Sequence, residues 1–243
     1  MRIALISDIH GNMVALEAVL ADIQRQTVDR LICLGDVATL GPQHHEVLAR
    51  LKALGCPCVR GNHERFLLYP ESVYTYSDDP AIIDSIHWCL DRLSDAELDY
   101  VHSFQPFIQV ALDAENSLLC VHGSPRSDLD NIMATTPAEE LDAMLAGHKA
   151  ALIASGHTHA QMVRQHRGMV LLNVGSVGQP FEQPLPQGPP HALLHAEYGI
   201  VTWDNGNLGI ELRRIPFDLD TVKRIVLASD IPLRAWLIAQ YAQ

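Results

Sequence analysis

Within its first 60 residues the chain alternates three short apolar runs with two stretches of helical periodicity, and this restricts the fold more than any other feature. Arg2–Ser7 is the first run. Leu16, Val19, Leu20 and Ile23 follow, spaced as one face of a helix, with Asn12 placed to cap it. Arg30–Leu34 is the second run, and Val47, Leu48, Leu51 and Leu54 form the next helical stripe. Cys56–Arg60 is the third run. A β-α-β-α-β order predicts parallel strands joined by crossover helices. Each run leads into a polar cluster beside a glycine, and ligands of open α/β sheets bind at that carboxyl edge.

Residues 64–103 predict a helical insert. Asp79-Pro80 supplies an N-cap and a proline at the first helical position, and Ser94 with Glu97 makes a capping box. Residues 71–99 hold eight acids and one base, Arg92, which reads as a solvated face or as a cap over a site. Three hairpins follow: Phe107–Leu112 with Ser117–Val121, Gln161–His166 with Met169–Val174, and Tyr198–Asp204 with Asn207–Ile215 through Asn205-Gly206. Thr136-Pro137-Ala138-Glu139 predicts a capped helix start, and Ala150–Ala154 a buried strand. Residues 178–197 are a proline-rich loop, and the tail from Asp218 is helical with a break near Pro232. One domain over residues 1–243, with two sheets and the helical insert, accounts for this order.

Composition excludes several classes. Hydrophobic residues at 48% and charged residues at 19% are wrong for a disordered chain. A net charge of −12 lacks the basic footprint of a nucleic-acid binder. No stretch reaches the ~18 apolar residues of a membrane span, and the N-terminal run is too short for a signal peptide. Cys33, Cys56, Cys58, Cys89 and Cys120 are an odd set without framework or zinc-ribbon spacing, so buried thiols in a reducing cytoplasm are expected. Cys56-Pro57-Cys58 is too generic a triplet to assign a redox role.

Asp8-Ile9-His10, Gly35-Asp36, Gly61-Asn62-His63-Glu64, His122-Gly123 and Gly156-His157-Thr158-His159 each follow an apolar run. Asp8 with His10, and His157 with His159, are spaced i and i+2, which in extended chain points both side chains the same way. Four imidazoles (His10, His122, His157, His159), two carboxylates (Asp8, Asp36) and the Asn62 amide therefore converge. Seven ligands suit two ions sharing one carboxylate, a site that drives in-line displacement at phosphorus. Mixed nitrogen and oxygen ligation without cysteine argues against structural zinc and suits Mn, Fe, Zn, Co or Ni. The other eight histidines lack ligand spacing.

The ordered set D-x-H, G-D, G-N-H-E, H-G, G-H-x-H resembles the calcineurin-like metallophosphoesterase superfamily, and Asn173–Pro180 resembles a loop of its compact prokaryotic members. The resemblance implies an α/β sandwich, two mixed β-sheets flanked by helices (α/β/β/α). It implies that Asp8, His10 and His159 bind one divalent ion, that Asn62, His122 and His157 bind a second, and that Asp36 bridges them. It implies a metal-bridging hydroxide as nucleophile and His63 as the catalytic histidine that contacts the phosphoryl group or protonates the leaving oxygen. Glu64 would orient a neighbour. Arg60, Arg65 and Arg126, beside motif residues, are candidates to bind substrate phosphate. The expected substrate is a small phosphoester, a nucleotide or dinucleoside polyphosphate, so a phosphodiesterase or nucleotide hydrolase leads. Gly35-Asp36 is followed by Val37–Pro42 without the D-R-G of the Ser/Thr protein phosphatases, which places that activity, or a phosphomonoesterase, second. A non-catalytic scaffold would have lost ligands, and the H-x-H-x-D-H run of metallo-β-lactamases is missing.

Overall fold

The computed structural model describes residues 1–182 and 190–241. The first sheet has the order β2-β1-β8-β9, built from β1 (Arg2–Ile6), β2 (Arg30–Cys33), β8 (Ala196–Asp204) and β9 (Asn207–Ile215). The second has the order β3-β4-β5-β7-β6: β3 (Ile108–Ala111), β4 (Ser117–Cys120), β5 (Leu152–Ser155), β6 (Met162–His166) and β7 (Met169–Asn173). Both are mixed. β1 runs parallel to β2 and antiparallel to β8, while β4, β5 and β7 are parallel and β3 and β6 antiparallel edges.

Strand alternation decides what each face covers. Ile3 and Leu5 of β1 point at the second sheet and meet Leu118, Leu152 and Leu172 in one buried core. Their neighbours Ala4 and Ile6 point the other way, onto α1 (Met13–Arg25) and α2 (His44–Ala53). The outer face of the second sheet, with Leu119, Ile153 and Leu171, is covered by α6 (Ala138–Leu145). The layers are thus α/β/β/α. The insert comprises α3 (Asn62–Leu68), a 3₁₀ segment (Pro70–Thr75), α4 (Pro80–Leu90) and α5 (Asp95–His102), and α7 (Leu219–Ala228) with α8 (Arg234–Gln240) closes the chain.

Most local signals act as expected. Asn12 and Asp79 accept the N–H groups of Ala15 and Ala81, and Glu97 reaches back to the Ser94 N–H at 2.9 Å. Asn205 and Gly206 take positive φ in the β8–β9 turn. Three expectations need correction. Cys56–Arg60 forms no ladder strand, only single parallel bridges, Cys33 to Cys58 and Val59 to Gln105. Pro57 in its middle has no N–H to give. Thr136 does not cap α6: its hydroxyl accepts from Met133 N–H, and Pro137 takes the cap position. The insert's first helix starts at Asn62, inside the third motif rather than after it. The acids of residues 71–99 are exposed, apart from the half-buried Glu97, as a solvated face requires. Of the proline-rich loop 178–197, residues 183–189 lie outside the described residues.

One charged cluster ties α1 to the first sheet. Asp22, 5% exposed, accepts from Tyr198 Oη at 2.6 Å, Arg213 Nε at 2.8 Å and Arg25 at 2.9 Å. Burial opposes its charge, but these donors hold its carboxyl at about 2, below the ordinary 3.8. A depressed carboxyl contributes stability above its unfolded pKa and loses it as pH falls toward the folded value. Asp22→Ala should therefore cost about 2–4 kcal/mol at pH 7. Urea denaturation should show the gap to the wild type narrowing below pH ~4, whereas an equal gap at pH 7 and pH 3 would exclude this origin.

Candidate metal centre

The loops after β1, β2, β4 and β5 meet the first turn of α3 at one end of the sandwich. Asp8 and His10 come from the first loop, Asp36 from the second, Asn62 and His63 from α3, His122 from the loop after β4, and His157 and His159 from that after β5. All are buried except the half-buried His157. Asp8, His10 and His159 bring ligand atoms within 4.8 Å of one another, as do Asp36, His122 and His157, and His10, Asp36 and His63. Asn62 Oδ1 lies 2.9 Å from His122 Nε2. The structure thus brings all eight residues together.

The backbone that does this is not extended. Asp8 (φ 53°), His10 (47°), Asp36 (56°), His157 (65°) and His159 (55°) all take left-handed conformations. The i, i+2 pairs share a direction because the chain has already left the strand and coils inward, not because of strand alternation. Long-range bonds hold these five non-glycine residues at positive φ: Asp8 N–H to Gly35 O at 2.9 Å, His10 N–H to Asp36 O at 3.1 Å, Asp36 N–H to Glu64 Oε2 at 2.7 Å, His157 N–H to Asp8 Oδ2 at 3.1 Å, Phe181 N–H to His159 O at 3.0 Å, and Ser176 Oγ to Asp8 O at 2.7 Å. Asn173–Pro180 is the strap that supplies the last of these. Gly61 and Gly156 are needed for closeness, since a Cβ would strike Asp36 Oδ1 in the first case and the Asp8 carboxylate in the second.

The ring nitrogens show what the cluster fits. His10 Nδ1 faces Thr39 O at 3.2 Å, His122 Nδ1 faces Leu34 O at 2.8 Å and His159 Nδ1 faces Gln179 O at 2.6 Å. A carbonyl oxygen only accepts, so each neutral ring carries its proton on Nδ1 and presents a bare Nε2 lone pair. These lone pairs face other acceptors: His10 Nε2 is 3.1 Å from His159 Nε2, and His122 Nε2 is 2.9 Å from Asn62 Oδ1. Asp8 Oδ1 is buried with no well-formed hydrogen bond and faces the His159 Nε2 lone pair at 3.2 Å. Acceptors aimed at acceptors repel unless a cation lies among them, so the donor set fits divalent metal. Asp36 Oδ2 stands 3.9 Å from His10 Nε2 and 3.3 Å from His122 Nε2, between the two groups.

The charges agree. Burial opposes ionisation of Asp8, but His159 beside it takes the carboxyl down to about 2. Burial likewise opposes Asp36, which His122 and His63 hold well below the usual range. Burial and His159 pull His10 down to about 3, and burial and His122 pull His157 down to about 4. Against its own burial, His122 is lifted to about 10 by Asp36 and Asp8, so without a cation its Nε2 takes up a proton in the place where a metal would bind. His159 is raised against its burial as well, chiefly by Asp8, so the two buried carboxylates draw positive charge onto the cluster.

His63 differs from the other rings. Its Nε2 is 3.9 Å from Asp36 Oδ2, but its Nδ1 partner is the Thr39 hydroxyl at 2.6 Å. A hydroxyl donates as readily as it accepts, so this ring can keep its proton on Nε2. Burial lowers its pKa. Glu64 supports the loops rather than a ring: it accepts the N–H groups of Asp36 at 2.7 Å, Val37 at 2.8 Å and Gly61 at 2.9 Å. Burial and the Asp36 charge push its carboxyl up to about 7 against those donors.

Sequence reasoning missed Thr39, Tyr76 and Phe181. Thr39 touches two of the site's rings, His63 through its hydroxyl and His10 through its carbonyl, and no sequence pattern marks it. Arg65 and Arg126 are bound elsewhere. Arg65 forks onto Asp128 at 2.7 and 3.1 Å, and Arg126 onto Asp130 at 2.9 and 2.7 Å. To grip a phosphate, each would have to leave its carboxylate.

Thr39→Val is expected to leave metal content unchanged, since only the Thr39 carbonyl serves a ligand. Activity should fall about tenfold, the cost of one buried hydrogen bond to His63, and Thr39→Ser should restore it. Full activity in the valine variant would mean that His63 orients without this bond.

Residues 1–197 match the family model for the calcineurin-like phosphoesterase superfamily domain. The chain is 27% identical over 250 aligned residues to an uncharacterized protein of Methanocaldococcus jannaschii, spanning 97% of this chain and 95% of that one. Over 145 residues it is 34% identical to the symmetrical bis(5'-nucleosyl)-tetraphosphatase of Erwinia tasmaniensis, spanning 58% of this chain and 51% of that protein. Its fold is similar to the crystal structure of a metallophosphoesterase from Sphaerobacter thermophilus, with a TM-score of 0.76 at 24% identity over 100% of this chain and 99% of the other.

Proposed function

The chain belongs to the calcineurin-like phosphoesterase superfamily, and on that premise we propose that it hydrolyses small phosphodiesters or nucleotides with two divalent ions. Asp8, His10 and His159 would hold one ion, Asn62, His122 and His157 the other, and Asp36 both. The carrying observation is the pair of acceptor-to-acceptor contacts, His10 with His159 and His122 with Asn62, in rings whose Nδ1 protons are committed to carbonyls.

Two such ions, when bound, polarise a phosphoryl oxygen and lower the pKa of water for attack at phosphorus. The remaining work belongs to side chains. Glu64 keeps the Asp36 and Gly61 loops in register. Thr39 orients His63, whose Nε2–H donates to a phosphoryl or leaving oxygen. With Arg65 and Arg126 committed to Asp128 and Asp130, we assign them no substrate role. A phosphodiester, with a single negative charge, makes the smaller demand on such a site, which favours a diesterase over a monoesterase or protein phosphatase. All five cysteines are free and buried, which fits a reducing cytoplasm. Among the described residues no helix is long and apolar enough to cross a membrane.

The test is turnover of bis-p-nitrophenyl phosphate, p-nitrophenyl phosphate and diadenosine tetraphosphate with Mn²⁺, Fe²⁺, Zn²⁺, Co²⁺ and Ni²⁺. The diester or the dinucleotide should be preferred to the monoester. No turnover with any metal would end the enzyme reading.

A further inference from the structure

The insert sets an aromatic ring beside the metal cluster that no step above uses. Tyr76 follows the 3₁₀ segment, its N–H bonded to Val73 O at 2.9 Å. Its ring lies 5.3 Å from Phe66 and 6.3 Å, edge-on, from His63. Phe66 is fully buried and touches His63 at 5.3 Å, whereas Tyr76 is 42% exposed. A buried phenylalanine thus props both the imidazole and a ring that reaches solvent next to it. The Tyr76 hydroxyl stands near enough to feel the site's carboxylates: burial, Asp36 and Asp8 push it up to about 12, so it stays protonated at neutral pH. A second ring, Phe181, lies flat on His159 at 4.5 Å and 19°, with its N–H bonded to His159 O at 3.0 Å.

Aromatic rings beside a phosphate-binding centre suit a substrate whose phosphate carries a planar substituent. Stacking needs only a π-face, and one base on one ring is worth roughly tenfold in affinity or more. We propose that Tyr76 is a specificity residue that stacks on a nucleobase of the substrate while the phosphate occupies the metal centre. This rests on the phosphoesterase reading above. It assigns the insert a recognition role that its acidic solvent face does not suggest.

Calorimetric binding of adenosine 5'-monophosphate and methyl phosphate to the Mn²⁺-loaded full chain tests it. Both ligands present a phosphate, and only one carries a base. The wild type should bind the nucleotide about tenfold tighter. Tyr76→Leu should abolish that advantage and leave methyl phosphate binding and metal content unchanged, while Tyr76→Phe should keep it. Equal wild-type affinities, or an advantage that survives Tyr76→Leu, would overturn the proposal. So would parallel loss of methyl phosphate binding in Tyr76→Leu, which would make the ring a structural prop. Binding of neither ligand by the wild type would instead sink the phosphoesterase reading itself.

Discussion

Asp36→Ala is expected to lose both divalent ions together, and turnover with them. Asp36 Oδ2 is the oxygen that stands between the groups, 3.9 Å from His10 Nε2 and 3.3 Å from His122 Nε2. Removing a ligand that serves one ion would leave the other in place. Removing this one also strips a buried charge that both ions need, so the loss should exceed the ~10–100-fold in affinity that a mere supporting partner costs. The same carboxylate accepts the His63 N–H at 3.0 Å, so some local destabilisation accompanies the alanine. Asp36→Asn separates the effects, because an amide oxygen keeps that bond and removes the charge. Elemental analysis of both variants gives the answer. If either retains one ion per chain at full occupancy, Asp36 does not bridge.

His63→Ala should do the reverse, keeping the metals and losing about 10²–10⁴ of the rate. His63 lies close enough to His10 and Asp36 to be a ligand itself, so proximity does not settle its role. Its hydrogen bond favours the acid. His10, His122 and His159 have Nδ1 locked by carbonyls and lone pairs turned inward, whereas His63 has the adaptable Thr39 hydroxyl. Loss of metal from His63→Ala, with Phe66 and Tyr76 still packed by near-ultraviolet circular dichroism, would make it a ligand. Unchanged activity would remove it from the reaction.

Much of this site was legible in the chain because its signals are local. An apolar run followed by Asp, Asn or His with a glycine close by stands out whatever the rest of the molecule does. Five such marks named every residue of the cluster, together with Glu64 beside it. The hairpins at Arg167-Gly168 and Asn205-Gly206 were legible for the same reason, with φ of 47°, 81°, 49° and 81° at positions the turn chemistry requires. Where neighbours in space decide, the reading failed. Cys56–Arg60 looks like a central strand but makes only single bridges, because Pro57 interrupts its donors. Thr136 looks like a cap and instead serves Met133. Arg65 and Arg126 read as free cations beside the motifs, and in the structure each is paired, with Asp128 and Asp130.

Residue identity, then, was written along the chain, and residue role was written across it. Asp8 and His10 belong to one tripeptide, but what frees the His10 lone pair is a carbonyl 29 positions away, and for His122 the distance is 88. The left-handed turns at Asp8, Asp36 and His157 are held by groups from elsewhere in the chain, the Gly35 carbonyl, the Glu64 carboxylate and the Asp8 carboxylate. Folding alone brings such distant groups together, so the tautomers, the Thr39 contact and the ring of Tyr76 beside His63 had no trace in the order of residues.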